Sequence, residues 1–306
     1  MKATAILLSL TAVLSASVGV VAANERPRFN DLTGGMIDLD SHVADLVITP
    51  AVRTRDGIEI IIHRLTSGRY MKKPDGSDDA DKLFKDRARQ IAAAKIRLGA
   101  YHFLWTAPDG RDNGVEQARG FFAALKEKCV PGQKTLLAVD WEPIACKNKP
   151  CPIPDPSILA TFIKTVRAAT GKPVLVYTSN NVLDKFADRI APDTELGQTL
   201  TANPLWFAKY ERPYFLKNTE SAEKKFGYIF PARADVRPWK DWTFWQFAPQ
   251  EDSEERAKTA PTGNISLKIN NARADLNFFA GRREDLIDFY ERHAVICDKI
   301  AMPETH

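Results

Sequence analysis

Asp140 and Glu142 stand one residue apart in LLAVDWEP (136–143), where an apolar run that reads as a buried strand ends on acids. Side chains alternate faces along a strand, so the two acids share a face and Trp141 points the other way. A second run, MIDLD (36–40), carries Asp38 with Asp40 on the same face, and a third, ADLNFF (274–279), carries Asp275. If these strands close into one parallel barrel, their C-terminal ends face one side, and Asp38, Asp140, Glu142 and Asp275 meet in one pocket. Like charges held close raise one another's pKa, so at least one of the four keeps its proton near neutral pH. A protonated carboxyl beside an ionised one is what glycosidic cleavage needs. One protonates the leaving oxygen, and the other stabilises or attacks the anomeric carbon. A lone Asp-x-Glu at a strand end fits a cap, a salt bridge or a Ca²⁺ ligand equally well.

The aromatic residues favour sugar. Tyr101, Phe103 and Trp105 repeat at every second position of one strand, and Tyr177, Trp206 and Trp245 fall near the ends of others. Sugar rings present apolar C–H faces that stack on aromatic rings. A carboxylate pocket rimmed by Tyr and Trp therefore suits a carbohydrate cleft better than a metal site. His42, His63 and His102 lie on or just after strands without a His-x-His or His-x-x-x-His pair, and read as hydrogen-bonded pocket or core residues. No metal and no cofactor are expected.

Alternating elements must position these groups. IEIIIHRL (58–65), AYHFLW (100–105), TLLAVDWE (135–142) and KPVLVYTS (172–179) read as strands. Between them, 79–99, 114–128 and 157–171 have apolar residues at helical spacing, with Gly99 and Gly171 as helix stops. Strand–helix–strand units in this order imply parallel pairing and right-handed crossovers. Farther on, PLWFAKY (204–210), WTFWQFA (242–248), ISLKI (265–269) and ADLNFF read as strands with little helix between them, around a long charged loop at 211–241. An amphipathic helix is expected at 282–300. The whole reads as a single α/β domain of barrel type.

Residues 1–23, with Lys2, an apolar stretch and a small-residue end at Val21-Ala22-Ala23, fit a secretory signal peptide, which places the mature chain in the periplasm or outside the cell. No later segment is apolar enough to span a bilayer. The net charge of +4 is spread along the chain, which argues against a nucleic-acid partner. In an exported chain four cysteines suggest disulfides. Cys146 and Cys151 bracket a short loop that a bridge would close; Cys129 and Cys297 sit near the ends of expected helices, and their pairing stays open.

The segments GMIDLDSH, GAYHFLW, LLAVDWEP, PVLVYTSNN, PLWFAKY, WTFWQFAP and ADLNFF together resemble glycoside hydrolase family 25, the lysozyme-type N-acetylmuramidases of Chalaropsis type. The resemblance runs from about Met36 to Phe279. It implies a flattened, TIM-like (β/α)5β3 barrel over 36–281, after a lead segment at 24–35 and before a C-terminal helix at 282–306 packed on the barrel. The implied activity cleaves the β-1,4 bond between N-acetylmuramic acid and N-acetylglucosamine. Peptidoglycan strands are then the partner, and the enzyme is expected to be a monomer. By the resemblance Glu142 is the general acid. Asp140 is the second catalytic carboxylate, as nucleophile or as partner of a substrate N-acetyl group. Asp38 and Asp275 are supporting acids, and Tyr101, Phe103, Tyr177, Trp206 and Gln246 line the groove. Two segments depart from the pattern. DSHVAD follows the first strand, and HRLTSG (63–68) stands where the family tends to read Lys-Ala-Thr-Glu-Gly, so that His63 and Ser67 are expected to alter the groove wall.

Two other readings compete. Family 18 chitinases also end a strand on Asp-x-Glu, but the earlier acids of their series are replaced here by Thr135 and Ala138. A non-catalytic sugar-binding protein on the same fold has less reason to keep an acid cluster.

Overall fold

The computed structural model describes residues 33–40, 46–54, 57–68, 80–106, 114–144, 152–210, 235–248 and 274–301. Eight strands close a barrel. They are β1 (Thr33–Leu39), β2 (Ile60–Ser67), β3 (Arg97–Phe103), β4 (Lys134–Asp140), β5 (Leu175–Ser179), β6 (Leu205–Ala208), β7 (Phe244–Ala248) and β8 (Asp275–Phe279). Pairing runs β3-β2-β1-β8-β7-β6-β5-β4 and returns from β4 to β3. Neighbours pair in parallel except β8, which is antiparallel to both β1 and β7. A short β9 (Val295–Ile296) adds to the edge of β4 at Lys134 and Thr135.

Two apolar layers follow from the period-two alternation of the strands. Ile37, Ile61, Leu98, Leu137, Val139, Val176 and Phe207 face outward against the helices. Met36, Ile60, Ile62, Leu136, Ala138 and Leu175 face inward and fill the barrel. The helices are α1 (Pro50–Thr54), α2 (Phe84–Ala93), α3 (Gly114–Lys128), α4 (Pro156–Thr170), α5 (Asn180–Lys185), α6 (Glu195–Thr201) and α7 (Arg283–His293). α4 starts where Asp155 accepts from Ser157 N at 2.9 Å ahead of Pro156. It ends on Gly171 at φ 65°, a left-handed position that suits glycine. Gly114 lets α3 approach α4: a Cβ there would meet Ile158 O at 2.2 Å.

Several expectations need correction. The helix expected at 79–99 ends at Ala93, because Lys95 takes a left-handed φ of 56° and the chain turns into β3. Gly99 is inside that strand, where a Cβ would lie 2.5 Å from Ile62. The helices α5 and α6, of six and seven residues, are too short to show an apolar period, and their region was expected to hold little helix. The expected C-terminal helix stops at His293, since Ala294 is extended and hands the chain to β9. Cys129 pairs with Cys297. Cys146, Cys151, His42 and the expected strand ISLKI lie outside the described residues.

α7 closes the floor of the barrel, at the N-terminal ends of the parallel strands. Leu286, Phe289 and Tyr290 join the interior layer, with the Phe289 ring 5.4 Å from Phe244 and 5.8 Å from Phe279. Each such burial contributes roughly 1.5–3 kcal/mol. At the same end Glu59, fully buried, accepts from Arg97 at 2.8 Å, Arg53 at 3.2 Å and Arg283 of α7.

Candidate active site

At the opposite end the strands open into a cleft of about 220 Å³. Its lining includes Asp38 of β1, Asp140 and Glu142 at the end of β4, and Asp275 at the start of β8. Because β8 runs antiparallel to β1, its first residue reaches the same end as the last residues of β1, and Asp275 is the register partner of Asp38. Tyr101, Phe103, Tyr177, Trp206 and Gln246 line the same cleft. The structure thus brings together Asp38, Asp140, Glu142, Asp275, Tyr101, Phe103, Tyr177, Trp206 and Gln246, with Asp40, Arg64 and Tyr210 beside them.

Asp38 is held most tightly. Gln246 donates Nε2 to its two oxygens at 2.9 and 3.1 Å, and Asn277 donates Nδ2 to Oδ1 at 2.8 Å. Gln246 in turn accepts at Oε1 from Tyr177 OH at 2.7 Å and from Tyr210 OH. Asp140 is 7% exposed, and its Oδ1 has no hydrogen-bond partner among the described residues. Such a buried acceptor is costly until something supplies a donor.

Burial dominates the electrostatics. It pushes Asp38 up to about 6 despite the hydrogen bonds from Asn277 and Gln246. It pushes Glu142 up to about 7, with the Asp38 charge adding to the rise. Asp140 is driven well above the usual carboxylate range by burial and then by Glu142 and Asp38, while Arg64 acts in the opposite direction. These acids therefore hold protons jointly near neutral pH.

The rest of the aromatic and basic residues divide between cleft and core. Trp206 stands in the wall, its ring 4.8 Å from Tyr177 and 6.5 Å from Tyr101. Trp245 does not: it pairs in register with Phe207, faces outward and donates Nε1 to Lys209 O at 3.0 Å. Trp105 lies beyond the end of β3, packed on Gly68 outside the cleft lining. His63 is also outside the groove wall. Its ring is buried beneath Phe84 with Arg87 at 2.8 Å from Nε2, and burial lowers its pKa to about 4. His102 stacks on Phe162 and bonds Thr66 and Gln117, again with a pKa lowered to about 4 by burial. The cleft residue of β2 is Arg64, 3.0 Å from Asp40. Counted back from Gly68, it is Arg64 that takes the Lys position of Lys-Ala-Thr-Glu-Gly, one residue after His63. Among the described residues no cluster of His, Cys, Asp and Glu is arranged to hold a metal ion.

The family model for glycosyl hydrolases family 25 matches residues 48–255. The chain belongs to this family. As a family 25 hydrolase it is a glycoside hydrolase, and its barrel recurs in solved structures. A family 25 glycosyl hydrolase from Bacillus anthracis is 19% identical, with a TM-score of 0.52 over 85% of this chain and 94% of that one. A bacterial lysozyme from Streptomyces coelicolor is 19% identical, with a TM-score of 0.52 over 84% and 97%. A family 25 lysozyme from Aspergillus fumigatus is 18% identical, with a TM-score of 0.52 over 85% and 99%. At these identities the likeness is one of fold. No curated protein sequence matches the hydrolase. The stretch matched by the family model contains Asp140 and Glu142 but neither Asp38 nor Asp275, which the closed barrel adds.

Proposed function

We propose that the hydrolase is a muramidase that cleaves the β-1,4 bond between N-acetylmuramic acid and N-acetylglucosamine in peptidoglycan. The observation that carries this reading is the pairing of Glu142 with Asp140 in a cleft walled by Tyr101, Tyr177 and Trp206. Glu142, raised to about 7, keeps a proton at neutral pH and donates it to the leaving oxygen. Asp140 is the second carboxylate. Its Oδ1, without a partner among the described residues, favours the role of acceptor for the N–H of the substrate's N-acetyl group, which would then attack the anomeric carbon in place of the enzyme. Asp38 and Asp275 support the pair, and Asn277 and Gln246 position Asp38.

The proposal includes export, with residues 1–23 removed as a signal peptide and 36–281 acting as the catalytic barrel. The Cys129–Cys297 bridge supports an oxidising compartment. No helix of the described residues is long and apolar enough to cross a membrane.

Mature protein and its Glu142→Gln variant are incubated with purified peptidoglycan, and the products are reduced and identified by mass spectrometry. Reduced N-acetylmuramic acid from the wild type alone supports the assignment. New N-acetylglucosamine ends would move the cleaved bond. Glycan captured by both proteins with no new ends would make the cleft a binding site.

A further inference from the structure

Arg64 sets its positive charge against Asp38, Asp40, Asp140, Glu142 and Asp275 in the lining of the cleft. It lies 3.0 Å from Asp40 and 3.6 Å from Asp81. Asp40 is the first residue beyond β1, and Arg64 stands at the irregularity in the β2–β3 register. At both places the regular ladder breaks off.

Two buried residues outside the cleft tie down the backbone there. Arg87 of α2 donates Nη1 to Asp40 O at 2.8 Å, and the same nitrogen is 2.8 Å from His63 Nε2. His63 Nδ1 is 2.7 Å from Arg64 O. Arginine has donors and no acceptor, so Nε2 must be the accepting nitrogen. The ring proton is then on Nδ1 and is donated to Arg64 O. One neutral tautomer thus satisfies all three bonds. Burial first, and then the Arg87 charge, keep the ring neutral, while Asp81, the bond to Arg64 O and Asp40 pull the other way. A guanidinium buried among Phe84, Ala88 and Ile91 of α2 is costly for packing alone.

We propose that His63 and Arg87 are positioning residues of the hydrolase, which fix the backbone of Asp40 and Arg64 and so hold the Arg64 guanidinium against the acids of the cleft. Arg64 opposes the protonation of Asp140 that burial, Glu142, Asp38 and Asp275 favour. The inference rests on the reading of Asp140 as the ionised carboxylate of the muramidase reaction.

The test is the pH–rate profile of peptidoglycan turnover. Arg87→Met is expected to move the acid limb upward by roughly half a pH unit or more. The limb near 7 should stay, because the rise of Glu142 comes from burial and Asp38. Arg87→Lys, which keeps a charged donor, should recover most of the shift. In an Arg64→Met background Arg87→Met should add no further shift, since it acts through Arg64. Should Arg87→Met fail to fold, His63→Gln, which keeps an acceptor for Arg87 and loses the donor to Arg64 O, carries the same expectation. Nitrogen NMR of the wild type reads the tautomer without any substitution. An unmoved acid limb, a further shift without Arg64, or a proton on His63 Nε2 overturns the proposal. Carbon NMR titration of the Asp140 carboxyl needs no substrate and separates this inference from the muramidase reading. An upward shift in Arg87→Met without muramic ends from the wild type keeps the brace and removes the reaction; muramic ends with Asp140 unshifted do the reverse.

Discussion

Trp206 Nε1 donates to Asn277 Oδ1 at 2.6 Å, and this bond decides which end of the amide faces Asp38. With its oxygen taken, Asn277 can offer only Nδ2 to the carboxylate, at 2.8 Å. A residue of the cleft wall thus orients the support of one of the cleft's acids.

Replacing Asn277 with Leu removes the donor to Asp38 and leaves the buried Trp206 N–H without an acceptor. A loss of about 1–3 kcal/mol of stability is expected in chemical denaturation. Asp38, already near 6, should titrate higher still, moving the acid limb of the pH–rate profile upward. An unmoved limb would mean that Asp38 does not act in the rate-determining protonation state.

Glu142→Gln and Asp140→Asn should each lower peptidoglycan turnover about 10²–10⁴-fold with little loss of fold. Turbidity clearance measures the first effect and circular dichroism the second. With Glu142 as the proposed acid, wild-type activity should decline as pH rises through about 7. A profile flat to pH 9 would remove Glu142 as the acid.

The same displacement fixes a stability trend. Glu142 titrates at about 7 in the folded enzyme against an ordinary value of 4.5, and Asp38 at about 6 against 3.8. Between those values the folded state holds protons that the unfolded chain has released. Stability from these groups is therefore full at low pH and is lost as pH rises through the window. Wild-type stability should fall on the order of 5 kcal/mol from this source between pH 4.5 and 7.5, and Glu142→Gln should flatten the slope. A denaturant series at fixed pH steps reads it directly; equal slopes would place Glu142 in ordinary solvent.

The Cys129–Cys297 bridge joins positions 168 residues apart. Its removal by a paired Cys→Ser change should cost about 3–5 kcal/mol. The bridge ties the end of α3 to the segment after α7, at the floor of the barrel, so turnover at low temperature should persist. Loss of turnover without loss of stability would contradict that separation.

The sequence revealed the site better than the surroundings. Asp38, Asp140 and Asp275 were legible because each sits at an apolar strand end whose face is set by simple alternation. Trp245 was misassigned because the inward phase of β7 is set by its register with β6. Phe207 opposite Trp245 turns both outward, and Gln246 takes the inward face. Neighbouring Trp245 and Gln246 could not both have faced the cleft. Arg64 was hidden by the irregularity in β2 pairing between Arg64 and Thr66, which disrupts the alternation just where the strand meets the cleft. Asn277 gave no signal of its own, since its role depends on Trp206, a residue 71 positions earlier.

The seam where β1 meets β8 brings the early part of the chain to its late part, and Asp38 faces Asp275 across it. A growing polypeptide that has made β1 through β7 therefore possesses Asp140 and Glu142 but neither Asp275 nor Asn277. The reaction centre is completed only as the last strand docks and α7 seals the floor behind it. A chain that ends before β8 lacks Asp275 and the Asn277 donor to Asp38, so its cleft is left short of one acid and of one of the bonds that hold another.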